Sequence, residues 1–404
     1  MDGQLVTIED VKSARALLDG VSISTPVEHS RQLSKLVGGS VSYKCENLQR
    51  AGSFKIRGAY VRISRLTDAE RRNGVVAARA GNHAQGVALA ASLLGSTSTV
   101  FMPEGAPLPK VAATRAYGAE IVIHGRTVDE ALVAAKAHAH EQGKVFIHPF
   151  DHPDIVAGQG TIGLEIIETV PDVRTVVVAI GGGGLAAGVA VAVKAHNPDI
   201  RVVGVQAEGA AAFPGSLAVG HPVALPVMAT IADGIAVARP GDMTLPMCAQ
   251  LVDDVITVSD ESLSRALLML LERAKLLVEP AGAAAVAAIM DQPTRFEPPI
   301  VAVLSGGNVD PLLLLRVIRH GLAAAGRYLS FRLRIPDRPG ELAALLALLA
   351  ESGANVLDVE HLRTGARLHL DEVEVALQLE TRGTTHSEDV LSRLRKAGYP
   401  LVFH

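Results

Sequence analysis

Tryptophan is absent from this chain, and aromatic residues together make up 3% of its 404 positions. Surfaces that stack nucleobases need aromatic platforms, so this composition argues against single-stranded nucleic-acid binding. The formal net charge is −4, which leaves no basic stripe to neutralise a phosphate backbone. Cysteine occurs only as Cys45 and Cys248, too few for a disulfide framework or a cysteine-based zinc site. Long apolar runs are missing too. The Ala- and Val-rich stretches are broken by Gly, Lys or His before they reach spanning length, so no membrane partner is expected. The opening "MDGQLVTIEDVKSARALL" is charged and helical in pattern, without the basic start and apolar core of a signal peptide. A cytoplasmic protein is expected.

What is present is apolar and periodic. Hydrophobic residues make up 49% of the chain and charged residues 20%, enough to bury a large core. At roughly 100–200 residues per domain, two or three domains are expected. Short β-branched runs, "GVVAA", "STVFM", "TVVVAI", "RVVGV" and "PIVAVL", alternate with helical segments such as "AQGVALAASLLG", "AAGVAVAVKAH" and "ESLSRALLMLLERAKLL". That alternation predicts an α/β fold of open, mostly parallel sheets covered by helices. Several of the strands are apolar without alternation, as strands buried on both faces are.

The pattern changes after residue 326. "DEVEVALQLE" alternates strictly, apolar at Val373, Val375, Leu377 and Leu379, which predicts an antiparallel strand with one wet face. The order reads strand 328–335, helix 341–352, strand 355–362, strand 368–380, helix 386–397 and strand 400–403, a ferredoxin-like β-α-β-β-α-β module. Its "IPDRPGEL" turn is either a simple connection or a place for a small ligand.

Chemistry gathers at strand-to-turn junctions. In "AIGGGGLAAG" an apolar strand runs into Gly181, Gly182, Gly183 and Gly184, and a helix follows. Successive amides without Cβ atoms converge on an anion at a helix N-terminus, and a phosphate is the natural occupant. No Gly-Lys-Ser/Thr follows, so a nucleoside-triphosphate loop is excluded. The run also fits a loose dinucleotide pattern, with Glu208 beyond it, so a nicotinamide oxidoreductase stays open. "ARAGNHAQG" offers Asn82 as a cap or a ligand amide, and His83 as a base or a structural ring. "LSGGNVDP" offers Ser305 and Asn308. Three polar glycine turns at strand ends make a ligand crevice. In "IHPFDHPD", Pro149 separates His148 from His152 and breaks the helical spacing a metal pair needs, so no metal is expected.

"AGSFKIRGAY" sets Lys55 between Phe54 and Ile56. With Ser53 as N-cap, Lys55 falls in the first turn of a helix. The helix end, burial and nearby Arg57 would each lower its pKa. A neutral amine beside a phosphate cradle suggests a Schiff base with pyridoxal phosphate.

The motifs "GSFKIRGA", "AGNHAQG", "GGGGL", "TIADGIAV", "EPAGA" and "LSGGN" occur here in an order that resembles the threonine dehydratases (threonine ammonia-lyases). These are pyridoxal-phosphate enzymes of the tryptophan-synthase-β-like class. The C-terminal module resembles an ACT domain. The resemblance implies a catalytic domain over 1–325, with a smaller subdomain at roughly 51–146, and an ACT-like regulatory domain over 327–404. It implies that Lys55 bonds the cofactor and returns as proton-transferring base, that Phe54 packs on the cofactor ring, and that Asn82 bonds the ring's 3-oxygen. Gly181 to Gly184 and Leu185 would cradle the phosphate, and Ser305 would face the pyridine nitrogen. A serine hydroxyl there makes the ring a weaker electron sink than an aspartate would, favouring prompt loss of the β-hydroxyl over transamination. Arg79, Ala80, Gly81 and His83 would line the substrate side. Relatives usually have serine where this chain has Arg79, which either clamps the carboxylate harder or obstructs the pocket. Some relatives bind a divalent ion after the corresponding "GVQAEGAAAF" strand. Here Gln206 and a displaced Glu208 put that site in doubt. The implied substrates are threonine and serine. The implied effector is isoleucine or valine, bound near the 336–341 turn and Asn355, and the implied assembly is a homodimer or homotetramer. An amino-acid sensor with weak catalysis is the remaining alternative.

Overall fold

The computed structural model describes residues 6–79, 81–363 and 371–402. The chain divides into two compact units, Met1–Leu313 and Leu314–His404.

The first unit holds two sheets. The larger has six strands in the order Val27–His29, Val41–Lys44, Ile300–Val303, Thr175–Ala179, Arg201–Ala207 and Asp254–Val258. All its pairings are parallel except that of the first two strands. The smaller sheet orders Glu120–Ile123, Ser98–Met102, Val75–Ala78 and Val145–Phe146, all parallel. The strands read as continuous apolar runs are buried along their whole length, as Val75–Ala78, Thr175–Ala179 and Ile300–Val303 demonstrate. Helices cover both faces of the central strands, while the edge strands Val27–His29 and Glu120–Ile123 keep exposed residues. Each sheet has its own apolar core. Val176, Val178, Val301 and Phe213 belong to one, and Val75, Val100, Ile56 and Ile63 to the other.

The second unit pairs Asn355–Leu362, Glu372–Glu380, Tyr328–Pro336 and Leu401–Val402 in that order, every pair antiparallel. Val373, Val375, Leu377 and Leu379 all point into its core, as their alternation requires. Its helices are Glu341–Glu351 and Thr384–Lys396. The second begins two residues before its expected start, at a Gly383 cap with φ 120°. The strand expected at 368–380 is described from Glu372; residues 368–370, like 403, lie outside the described residues. The turn before Glu341 is exposed, and the exposed Asn355 donates from Nδ2 to Glu380 Oε2 at 3.1 Å.

The run "ESLSRALLMLLERAKLL" does not stay helical. It forms a helix over Asp260–Met269 and one π-type turn over Leu270–Ala274, then leaves at Lys275 in the left-handed region. The segment after it carries Glu279 into the cleft described next.

Candidate active site

Lys55 is the first residue of the Lys55–Ser64 helix. Ser53 is not its cap, contrary to expectation. Ser53 is extended and bridges to Gly306, Phe54 takes the cap position, and the Ser53 hydroxyl is buried without a partner. The helix turns the lysine into a cleft of about 720 Å³, open mouth included. There Nζ donates to the Pro149 carbonyl at 2.9 Å and lies 5.0 Å from the Phe54 ring centroid. Burial, reinforced by the Arg79 guanidinium and opposed by the Glu279 carboxylate, lowers its pKa to about 7. Arg57 has no part in this. Its guanidinium points away into a buried cluster with Glu46 and Glu165, so the cation beside the amine is Arg79.

The glycine run faces the same cleft at the start of the Gly184–His196 helix. Gly183 caps that helix at φ 103°, a conformation open to glycine and costly for other residues. A Cβ on Gly182 would lie 2.3 Å from the Phe150 ring. Only a side-chain-free turn fits here, and it leaves the first amides of a long helix unsatisfied toward the cleft.

Phe54, Lys55, Arg79, Gly81, Asn82, His83, Gly181 to Gly184, Leu185 and Ser305 all line this one cleft; Ala80 lies outside the described residues. His83 is buried, and its Nε2 lies 2.9 Å from the Ile147 carbonyl. Burial, with the Lys55 charge, holds its pKa well below the usual histidine range. Arg79 adopts φ 146°, outside the regions side chains favour, and Nη2 donates to the carbonyls of Asp233 at 2.5 Å and Ala236 at 3.3 Å. Gln206 is buried with Oε1 accepting from the Phe213 amide at 2.9 Å, and Glu208 is exposed. Among the described residues, no group of three or more His, Cys, Asp or Glu side chains is arranged for a metal.

Lys110 and Phe150 also line the cleft, as do Asp233 and Glu279, which the sequence offers only within "TIADGIAV" and "EPAGA" and without a role. Lys110 Nζ pairs with Asp233 at 2.5 Å. Glu279 is 4% exposed and accepts from Asn82 Nδ2 at 2.6 Å. Burial, with the nearby Asp233 charge, raises its pKa to about 7. Beyond its place at the head of the "EPAGA" motif, the signal for Glu279 is a carboxylate set between the apolar runs "LLV" and "PAGAAA".

These residues fit an aldehyde cofactor with a phosphate tail. An amine whose pKa is lowered to about 7 stands beside an aromatic face, and a turn without side chains opens a helix across the same cleft.

Residues 20–306 match the family described as pyridoxal-phosphate dependent enzyme, and residues 330–398 match the ACT domain. An L-threonine ammonia-lyase of Thermotoga maritima is 45% identical over 395 residues, 98% of either chain. The processed form of threonine deaminase isoform 2 from Solanum lycopersicum superposes with a TM-score of 0.75 at 36% identity, covering 79% of this chain and 92% of that one. The structure of maize serine racemase gives 0.74 at 38% identity, covering 80% and 99%. The family match decides between the two cofactors that the glycine run had left open.

Proposed function

This chain belongs to the pyridoxal-phosphate dependent enzymes and ends in an ACT domain, and from that premise we propose that it deaminates L-threonine to 2-oxobutanoate and ammonia. L-Serine, giving pyruvate, is the second substrate. The observation that carries the reading is Lys55: a buried amine with a pKa of about 7, facing the glycine turn across one cleft.

Bound through its aldehyde carbon to Lys55 Nζ, pyridoxal phosphate supplies an electron sink that makes the substrate's α-proton acidic. The backbone amides of Gly181 to Gly184 would hold the phosphate at the positive end of the Gly184–His196 helix. Phe54 supplies an apolar wall, and Asn82 an amide donor. Ser305 presents a neutral hydroxyl, which does not enforce a ring proton. Lys55 Nζ would take the α-proton of the substrate, a transfer its lowered pKa suits at neutral pH. The β-hydroxyl leaves with a proton as water, and water returns when the carbon–nitrogen bond is cleaved. The net products are therefore a 2-oxo acid and ammonia. Arg79, whose charge acts on Lys55 in the same cleft, would meet the substrate carboxylate.

The ACT domain is read as the seat of regulation by a small amino acid, isoleucine or valine, in a homodimer or homotetramer. The test is direct. The cofactor-loaded protein is incubated with threonine and with serine, and 2-oxo acid and residual-serine chirality are measured. Release of 2-oxobutanoate, lost in Lys55→Ala with the fold retained by circular dichroism, is the expected result. Racemised serine without 2-oxo acid would move the reading to a racemase, and binding without either product to a sensor.

A further inference from the structure

Two segments far apart in sequence are zipped together beside Lys55. The Phe54 amide donates to the Ser305 carbonyl at 3.2 Å, and the Gly307 amide donates to the Gly52 carbonyl at 2.8 Å. Ala51 adopts φ 57° and Gly52 φ 68°, and the Ala51 carbonyl accepts from Asn308 Nδ2 at 2.7 Å. A Cβ on Gly52 would fall 2.3 Å from Asn308 Oδ1. The glycine of "AGSFK" therefore makes room for the asparagine of "LSGGN". Asn308 Nδ2 also donates to Asn82 Oδ1 at 2.9 Å, with Gln85 Oε1 at 3.3 Å. Asn82 Nδ2 in turn donates to Glu279 Oε1 at 2.6 Å. Gly306 leaves space for that bond, since a Cβ there would lie 2.5 Å from Glu279 Oε1 and 3.0 Å from Asn82 Nδ2.

The polarity of this chain has a fixed origin. A backbone carbonyl only accepts, so Ala51 determines which end of the Asn308 amide faces it. Asn308 then presents N–H to Asn82, which must answer with its oxygen. The Asn82 amino group is left facing Glu279, whose Oε1 accepts from it at 2.6 Å. Reversing the Asn82 amide would set amino against amino on one side and oxygen against carboxylate on the other. Two bonds would be lost, in a place where unmatched polar groups are costly. Asn82 Nδ2 carries two protons, and Glu279 takes one. The other is left for a ligand in the cleft.

The geometry points to Asn308 and Glu279 as positioning residues, which lock the Asn82 carboxamide so that its free N–H serves the ring oxygen of the cofactor. Neither touches the reacting atoms; both act through Asn82. This rests on the cofactor reading and is independent of which amino acid is consumed.

The test is a double-mutant cycle on the full-length apoprotein, titrated with pyridoxal 5'-phosphate. Its readouts are the dissociation constant and the absorption maximum of the bound cofactor. Asn308→Ala should weaken binding about two- to tenfold, the size of one hydrogen bond, and move the maximum in the same direction as Asn82→Ala. In the Asn82→Ala background, Asn308→Ala should change neither readout. Equal losses in both backgrounds, or an unmoved maximum, would overturn the assignment. Should Asn308→Ala fail to fold by circular dichroism, Glu279→Ala replaces it in the same cycle. Glu279→Gln, which keeps an acceptor oxygen, should retain the wild-type maximum; a maximum matching Glu279→Ala would remove Glu279 from the lock. No readout requires turnover, so failure of the lyase reading leaves the cycle interpretable.

Discussion

Lys55 Nζ lies between influences of opposite sign. Burial is the largest force on it, Arg79 adds to that force, and Glu279 works against it. An ordinary lysine captures aldehydes with a rate that rises toward pH 10. Here the rate at which apoprotein captures pyridoxal phosphate should instead rise with a midpoint near pH 7, following the amine's lowered value. The neighbours then give signed expectations. Arg79→Ser removes a cation and should move the midpoint up; Glu279→Gln removes an anion and should move it down. Stopped-flow absorbance across pH checks all three proteins. A wild-type midpoint near 10, or two variants moving the same way, would refute the account. Sequence alone could not supply this balance. Lys55 and the glycine run were legible because each breaks a local pattern. The carboxylate that moderates the amine lies more than two hundred residues away and is desolvated only by folding.

At the scale of the element, the Lys55–Ser64 helix is anchored by a charge cluster on the side away from the cleft. Arg57 donates to Glu46 at 2.8 Å and to Glu165 at 2.6 Å, and Lys44 pairs with Glu165 at 2.5 Å. Thr25 adds a bond to Glu46 at 2.6 Å. Burial, the largest influence, would raise the Glu46 pKa, but the Arg57 charge and hydrogen bonds, with Lys44 and Thr25, together outweigh it and hold the group below its ordinary value. A carboxylate so depressed contributes its stability above the unfolded-state value, and loses it as pH falls through the folded-state value. Here the spacing "FKIR" misled, because position on a helix says which face a residue occupies but not what waits opposite. Truncating one member strands the other charges in a dry site. Glu46→Ala should therefore destabilise the apoprotein by about 3–5 kcal/mol in urea unfolding followed by circular dichroism. It should also make the loss of stability toward acid shallower, because the depressed carboxylate that titrates there is gone. A cost under about 1 kcal/mol would mean that the cluster is solvated and holds nothing.

At the scale of the whole molecule, alternation alone revealed the change of architecture. Unbroken apolar strands give way to "DEVEVALQLE", and a mostly parallel layered unit is followed by an antiparallel one. Partners across a sheet were not legible, since Ile300–Val303 inserts between Val41–Lys44 and Thr175–Ala179 from far along the chain. Every residue lining the cleft falls between Phe54 and Ser305, inside the first unit. The second unit has a core of its own, built from Phe331, Leu333, Leu345, Val375, Leu377 and Leu394. Catalysis and regulation should therefore separate when residues 327–404 are removed. In the full chain, isoleucine should shift the apparent affinity for threonine by about five- to hundredfold, the usual size of coupling between two sites. The truncated chain should still turn threonine over, with kinetics the same at every isoleucine concentration. Initial rates of 2-oxobutanoate release, measured across both concentrations for the two chains, decide it. An isoleucine response that survives the truncation would locate the effector site in the catalytic unit and leave the ACT domain without a regulatory part.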